Sequence, residues 1–206
     1  MKNQTIKYLR SDEVYELFDV ISLDHSRHAI RNKAIFSIAK YCALRVSEIT
    51  FMEFSAYDPY RQQIYCRRGK GSNNNTIRII DSEVIDAMQN YLHIRPHLYP
   101  DSKYLFPSQK GSPISRKQLD FIMKKYCRTT SITEDKHHFH VLKHTRAVEL
   151  GNSGADIKDI QWWLGHKNID NTMIYMQYTT NQQEALYQKL KEAQRREQKS
   201  SLQHYF

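Results

Sequence analysis

Apolar side chains recur at helical spacing through most of the chain, separated by short polar segments. This pattern predicts a first helix capped by Ser11, a second over about 27–42 and a short third around 47–49. Further helices are predicted from Ser82, from Ser115, over about 140–150 up to Gly151, from Asp156, and around 170–177. Gly165 is placed to end one of them, because glycine readily adopts the left-handed conformation that closes a helix.

Two short segments break the helical pattern. Residues 63–66 and 76–80 are rich in β-branched and aromatic side chains, which predicts strands. The residues between them, 67–75, are basic and rich in glycine, serine and asparagine, so they predict the long tip of a hairpin. Together the elements predict a mainly α fold with a small antiparallel β-sheet, of the α+β class.

We interpret residues 1–180 as one domain and 181–206 as a basic helical tail. Within the tail, Leu186, Leu190 and Ala193 form a narrow apolar stripe among lysines and arginines. The stripe could pack on its own domain or on a neighbouring molecule, and periodicity does not decide between them.

The net charge of the chain indicates what kind of partner it binds. The formal net charge is +9, and clustered lysines and arginines gain free energy by releasing counterions from a phosphate backbone. A polyanion is the simplest partner, although a merely soluble basic protein has the same composition.

The sequence disfavours several cellular compartments for this protein. No apolar run reaches the ~20 residues of a membrane span, and the first residues have no apolar core typical of a secretory signal. The three cysteines, Cys42, Cys66 and Cys127, are far apart and form neither a zinc pattern nor a disulfide framework. We therefore expect a protein of the reducing cytoplasm, without a membrane.

Several cations, imidazoles and a phenol recur at element ends and in the hairpin tip. They are Arg45, Lys70, His140, Lys143, His166 and Tyr175. Fixed cations can stabilise the charge that develops on a phosphodiester during cleavage, and a phenol can act as nucleophile once a neighbouring group takes its proton. This set suits phosphoryl transfer without a metal.

The same residues stand in five motifs whose order carries more information than any one of them. The motifs are Ala43-Leu44-Arg45-Val46-Ser47-Glu48, Gly69-Lys70-Gly71, His140-Val141-Leu142-Lys143-His144, Leu164-Gly165-His166 and Thr172-Met173-Ile174-Tyr175. In wording and interval they resemble the tyrosine recombinase (phage integrase) family, from about Tyr8 to Tyr178. The short single-domain catalytic forms are the most similar.

The resemblance implies a role for each matching residue. Arg45 would clamp the scissile phosphate, and His166 would hydrogen-bond it. Lys70 would protonate the leaving 5′ oxygen, and His140 would assist proton transfer. Tyr175 would attack phosphorus and form a 3′-phosphotyrosine link, so that rejoining needs no cofactor. The family's second arginine is replaced by Lys143, which keeps the charge but loses the two-pronged grip of a guanidinium. Slower catalysis, local compensation and an impaired enzyme all stay open.

The resemblance also implies the partners. Double-stranded DNA would be bound by a homotetramer on two sites, with a monomer in the free state, the tail docked in a neighbouring protomer, and accessory DNA-bending proteins. A prokaryote or mobile element is the expected source. The residues predicted to contact DNA are Arg67, Arg68, Lys70, Arg78, His144 and Lys167.

The predicted function is site-specific DNA recombination by integration, excision or inversion. A regulator that binds DNA but cuts poorly, and relaxation of DNA like a type IB topoisomerase, are the alternatives. Histidines at 137, 138, 140 and 144 invite a zinc hypothesis, but no third ligand has the right spacing, so no metal is predicted. Tyr178 is the alternative nucleophile, and its spacing from His166 disfavours it.

Overall fold

A computed structural model describes residues 6–179 and, in the tail, Tyr187, Leu190, Lys191 and Gln194. The α-helices and strands of residues 6–179 are α1 (Ser11–Ser22), α2 (Ala29–Tyr41), α3 (Val46–Thr50), β1 (Tyr57–Asp58), β2 (Gln63–Cys66), β3 (Asn75–Arg78), α4 (Ser82–Leu98), α5 (Arg116–Cys127), α6 (Val141–Asn152), α7 (Ile157–Leu164) and α8 (Asp170–Met176). The mainly helical α+β class is confirmed. No helix in the described part of the chain is long and apolar enough to cross a bilayer.

The strands form one antiparallel sheet in the order β1-β2-β3. The predicted hairpin is present, with Gln63 opposite Arg78 at one end and Cys66 opposite Asn75 at the other. Strand β1 was not predicted, because it contributes only two residues and two residues show no alternation.

Two predicted helix caps are wrong by one residue. Arg10, and not Ser11, occupies the N-cap of α1, and its amide donates to the Glu13 carboxylate. Asp81 caps α4 in place of Ser82, because its carboxylate accepts the amides of Glu83 and Val84. The predicted caps of α5 and α7 are confirmed, since Ser115 and Asp156 accept amides of the first turn.

Helix α2 runs through the centre of the molecule and packs against α1, α4 and α6. Most of its side chains are buried, including Ala34 and Ile38, whereas Ile30 near its start is 44% exposed. A second, smaller apolar cluster joins α6, α7 and α8 around Leu164 and Tyr175. This cluster supports the polar residues that surround Tyr175.

Helix α6 ends at Asn152, one residue after the predicted end, and the ends of α7 and α8 lie close to their predicted positions. In the tail the four described residues are helical, and Tyr187 and Leu190 are 60% and 51% exposed. Leu186 and Ala193, the other two residues of the predicted stripe, lie outside the described residues.

Candidate active site

Arg45 stands at the N-cap of α3, directly before the first helical turn. The carboxylate of Glu48, three residues on, accepts its amide at 2.8 Å and its Nη1 at 2.9 Å. Arg45 Nη1 also donates to Ser72 Oγ in the hairpin tip at 3.1 Å. Its side chain stays 31% exposed, so the guanidinium is oriented by the protein and still accessible to an anion.

Glu48 connects three segments of the chain. Besides Arg45, it accepts Arg68 Nη1 at 3.1 Å and the Gly69 amide at 3.3 Å. Its side chain is 2% exposed. Burial alone would raise the pKa of Glu48, but Arg68 and Lys143 outweigh it and hold the pKa below its usual range. The carboxylate is therefore charged and neutralises part of the surrounding positive charge.

Arg68 does not have the position predicted for a DNA-contacting residue. Its side chain is 0% exposed, and besides Glu48 its guanidinium donates to the carbonyls of Cys42, Ala43 and Trp163 and to the Asn75 side chain. The prediction is corrected, because every donor direction of the buried fork is taken up by the protein.

Ala43 precedes the Arg45 turn in a left-handed backbone conformation, with φ of 52°. This conformation directs its carbonyl towards two cations, Arg68 Nη1 and Lys143 Nζ, each at 3.2 Å. A side chain with a Cβ is disfavoured there, so the site contains a strained turn that both cations hold.

Lys143 lies on α6 and is 1% exposed. Its Nζ donates to the Leu164 carbonyl at 2.9 Å as well as to Ala43. Burial, followed by the charges of Arg45 and Arg68, lowers the pKa of Lys143 to about 7. The lysine thus ties the turn before Arg45 to the end of α7 instead of presenting its ammonium to solvent.

The hairpin tip is anchored on one side. The Asn73 amide donates to the Gly165 carbonyl at 2.9 Å, and Ser72 pairs with His166. Gly165 has φ of 67°, and a Cβ there would lie 2.7 Å from the Asn73 carbonyl oxygen. Glycine is therefore needed both for the helix end and for this contact.

Lys70 lies on the free side of that tip and is exposed. Among the described residues it has no hydrogen bond or ion pair. Its ammonium is therefore not held near Arg45 or Tyr175 by any such contact. The proposed donation of a proton by Lys70 stays a prediction. Of the residues predicted to contact DNA, Arg67, Arg78 and Lys167 are exposed and His144 is half-buried.

Tyr175 is 2% exposed and lies among histidines. His144 Nδ1 is 2.9 Å from its hydroxyl oxygen, and the His166 ring is stacked with the Tyr175 ring at 6.4 Å between centroids. His166 Nδ1 is in turn 3.1 Å from Thr172 Oγ1. Burial raises the pKa of the Tyr175 phenol, and the nearby charge of Arg45 opposes this effect.

The imidazoles of the site are neutral. Burial first, and the charges of Lys143 and Arg45 next, lower the pKa of His140 to about 4 and of His166 to about 3. The His140 ring meets the His144 ring edge-on at 4.4 Å between centroids. The neighbourhood is rich in positive charge, which favours an anion.

The structure therefore brings together Arg45, His140, Lys143, His166 and Tyr175, and it leaves Lys70 apart on the hairpin. Sequence reasoning missed two features of the site. These are the central role of Glu48 as a shared hydrogen-bond acceptor and the contact of His144 with Tyr175. The first was readable as a capping box, because a glutamate three residues after a cap reaches back to it.

Comparison with known proteins agrees with this architecture. The model of the phage integrase family matches residues 7–182. Tyrosine recombinase XerC of Listeria welshimeri is 29% identical over 187 residues, which cover 89% of this chain and 61% of the relative. Type 1 fimbriae regulatory protein FimB of Escherichia coli K12 is 31% identical over 176 residues, covering 84% of this chain and 85% of the relative.

A solved structure shares the fold. The XerH site-specific recombinase, described as bound to a palindromic difH substrate in a post-cleavage complex, superposes with a TM-score of 0.77 at 22% identity, over 93% of this chain and 53% of that one. The chain belongs to the phage integrase family of tyrosine recombinases. It spans about 61% of the length of its XerC relative.

Proposed function

We propose that the protein cleaves and rejoins duplex DNA at specific sites, one strand at a time, through a covalent link to Tyr175. The observation that carries the proposal is the grouping of an oriented, accessible Arg45 with His166 and a hydrogen-bonded Tyr175 in one positively charged site. The family membership and the DNA-bound recombinase with the same fold support it.

The proposed reaction conserves the number of phosphodiester bonds. A scissile phosphate would bind Arg45 and His166, whose donors stabilise the charge on its nonbridging oxygens. The Tyr175 oxygen would attack phosphorus as its proton passes to a neighbouring imidazole, and the bond to the 5′ oxygen would break. That oxygen would take a proton from Lys70 once the hairpin tip moves against DNA. Reversal by a second 5′ hydroxyl rejoins the strand, so neither ATP nor a metal is required.

The assembly proposed for exchange is a homotetramer on two DNA sites, formed from free monomers with the tail docked in trans and with DNA-bending proteins as helpers. Integration, excision and inversion share this chemistry. The exposed Arg67, Arg78 and Lys167 are proposed to meet the DNA backbone, where cations contribute affinity but no sequence preference.

One observation favours a second candidate, a DNA-binding regulator that cuts poorly. Lys143 stands where the family has an arginine, and its ammonium donates hydrogen bonds to two backbone carbonyls instead of facing solvent. If these bonds persist on DNA, the phosphate lacks one of its cations.

A covalent trap separates the two candidates. The protein is incubated with nicked duplex fragments that tile the DNA on both sides of its own gene, and the denatured sample is searched for protein-linked DNA. An adduct that maps to Tyr175 and is missing in Tyr175→Phe is the expected result. An adduct on Tyr178 would overturn the choice of nucleophile. Specific binding without an adduct, with an adduct restored by Lys143→Arg, would establish the regulator instead.

A further inference from the structure

The Tyr175 hydroxyl contacts a histidine other than the one to which the family resemblance assigns proton transfer. We propose that His144 Nδ1 accepts the proton of Tyr175 as the phenol attacks phosphorus, and returns it during rejoining. This inference rests on the proposed function and names one more catalytic residue for it.

The hydrogen bond defines the direction of transfer. His144 Nδ1 and the Tyr175 oxygen are 2.9 Å apart, across the interface between α6 and α8. Among the described residues, His144 is the hydrogen-bond partner of this hydroxyl. A neutral phenol has one proton to donate, and a neutral imidazole protonated at Nε2 offers Nδ1 as its acceptor. The arrangement is therefore that of a nucleophile already bonded to a base.

His140 is less well placed for the same step. In the part of the chain that the structure describes, its side chain makes no hydrogen bond to Tyr175, and its ring instead contacts the His144 ring edge-on at 4.4 Å. It lies one turn earlier on α6, at the N-cap. Its geometry suits support of the His144 ring more than contact with the phenol.

The surroundings of His144 keep its imidazole neutral and therefore able to accept a proton. Burial, followed by the neighbouring His140, His138 and Lys143, lowers the pKa of His144 to about 3, so the free protein holds a neutral ring. A phosphate bound at Arg45 brings negative charge, which raises the pKa of a nearby imidazole. The base would thus strengthen when substrate arrives.

The proton balance is closed by residues of this chain. In cleavage, the Tyr175 O–H bond breaks as its oxygen bonds to phosphorus, and the proton goes to His144 Nδ1. The phosphorus–O5′ bond breaks, and that oxygen takes its proton from Lys70. In rejoining, the incoming hydroxyl gives its proton back to Lys70, and His144 returns its proton to the departing phenolate.

Two variants of His144 separate a base from a positioning contact. In His144→Asn the side-chain amide oxygen can occupy the place of Nδ1, so the acceptor is kept but cannot hold a proton. In His144→Phe the ring shape is kept and the acceptor is lost. Each is assayed for single-turnover adduct formation on the nicked fragment that wild type cleaves, with a gel-shift of the same fragment as control for folding. His140→Asn is the matched comparison.

We expect both His144 variants to bind DNA and to form the adduct at least about 10²-fold more slowly than wild type, as general-base loss typically costs. We also expect a larger loss than in His140→Asn. An Asn variant as fast as wild type beside a slow Phe variant would reduce His144 to a positioning residue and overturn the inference. Faster cleavage by both His144 variants would show that the hydrogen bond holds Tyr175 in an inactive position. That result would overturn the inference as well.

The hydrogen bond has a readout that needs no DNA. The Nδ1 resonance of His144 is measured by 15N NMR in wild type and in Tyr175→Phe, where loss of the phenolic donor should shift it downfield towards an unbonded nitrogen. An unchanged resonance would overturn the inference. Absence of any adduct with wild type would instead overturn the proposed function, so the two failures can be told apart.

Discussion

Replacement of Lys143 by methionine should change how stability depends on pH. The lysine is 1% exposed, and its pKa falls from 10.5 to about 7 in the folded protein. A change of one in pKa corresponds to about 1.4 kcal/mol. The charged form of Lys143 is therefore disfavoured in the folded protein by about 5 kcal/mol.

The sign of the effect follows from proton binding. Between pH 7 and 10.5 the unfolded chain holds a proton on Lys143 that the folded protein has released. The contribution of Lys143 to stability therefore rises with pH across this window, by up to about 1.4 kcal/mol per pH unit. Below pH 7 both states hold the proton, and the full penalty is present.

The assay is urea unfolding of wild type and Lys143→Met at several pH values from 7.5 to 9.5. Methionine has a similar length and no charge, so the variant should lack this gain. Wild type should gain about 2.5 kcal/mol relative to the variant over the two pH units. Removal of the donor to the Leu164 carbonyl adds a change in stability that does not depend on pH, and the difference between pH values cancels it.

An exposed lysine on α7 supplies the matched control, since Lys158→Met removes the same charge at the surface. Parallel stability curves for wild type and Lys143→Met from pH 7.5 to 9.5 would refute the reasoning. They would mean that the Lys143 ammonium reaches water or an anion in the free protein.

Three further substitutions test the framework of the site by urea unfolding. Gly165→Ala should cost about 2 kcal/mol or more, because it combines a left-handed backbone with a Cβ 2.7 Å from the Asn73 carbonyl oxygen; a neutral result would show that the hairpin tip is not docked there. Glu48→Gln should cost about 3–5 kcal/mol, because the fully buried Arg68 loses its counter-charge, and a cost below 1 kcal/mol would contradict that burial. Ala43→Gly should raise stability by up to about 1 kcal/mol by relieving the strained φ, and a clear loss would mean that the buried methyl group outweighs the strain.

Much of the secondary structure could be predicted because helical periodicity and turn residues are local signals. The helix that ends at Gly165 is an example, since a cap, an apolar stripe and a terminal glycine all lie within ten residues. Strand β1 carries too few residues for such a signal, and the caps at Arg10 and Asp81 depend on which neighbouring side chain turns back to the backbone.

The site was predictable in its members but less so in their contacts. The motifs select Arg45, Lys143 and Tyr175, yet sequence does not show that Arg68 is buried. Its burial depends on carbonyls from residues 42, 43 and 163, which only the fold assembles. The contact of His144 with Tyr175 likewise joins two residues that lie on different helices and are 31 positions apart in sequence.

The buried carboxylate of Glu48 has an evolutionary consequence. Because it accepts donors from Arg45, Arg68 and Gly69, loss of any one partner changes the environment of the others. Substitutions at positions 45, 48 and 68 should then be strongly non-additive. A lineage that loses Glu48 alone leaves the buried Arg68 without its counter-charge, and one that loses Arg45 or Arg68 leaves Glu48 with a single arginine partner. We therefore expect these three positions to covary among relatives as a single inherited unit.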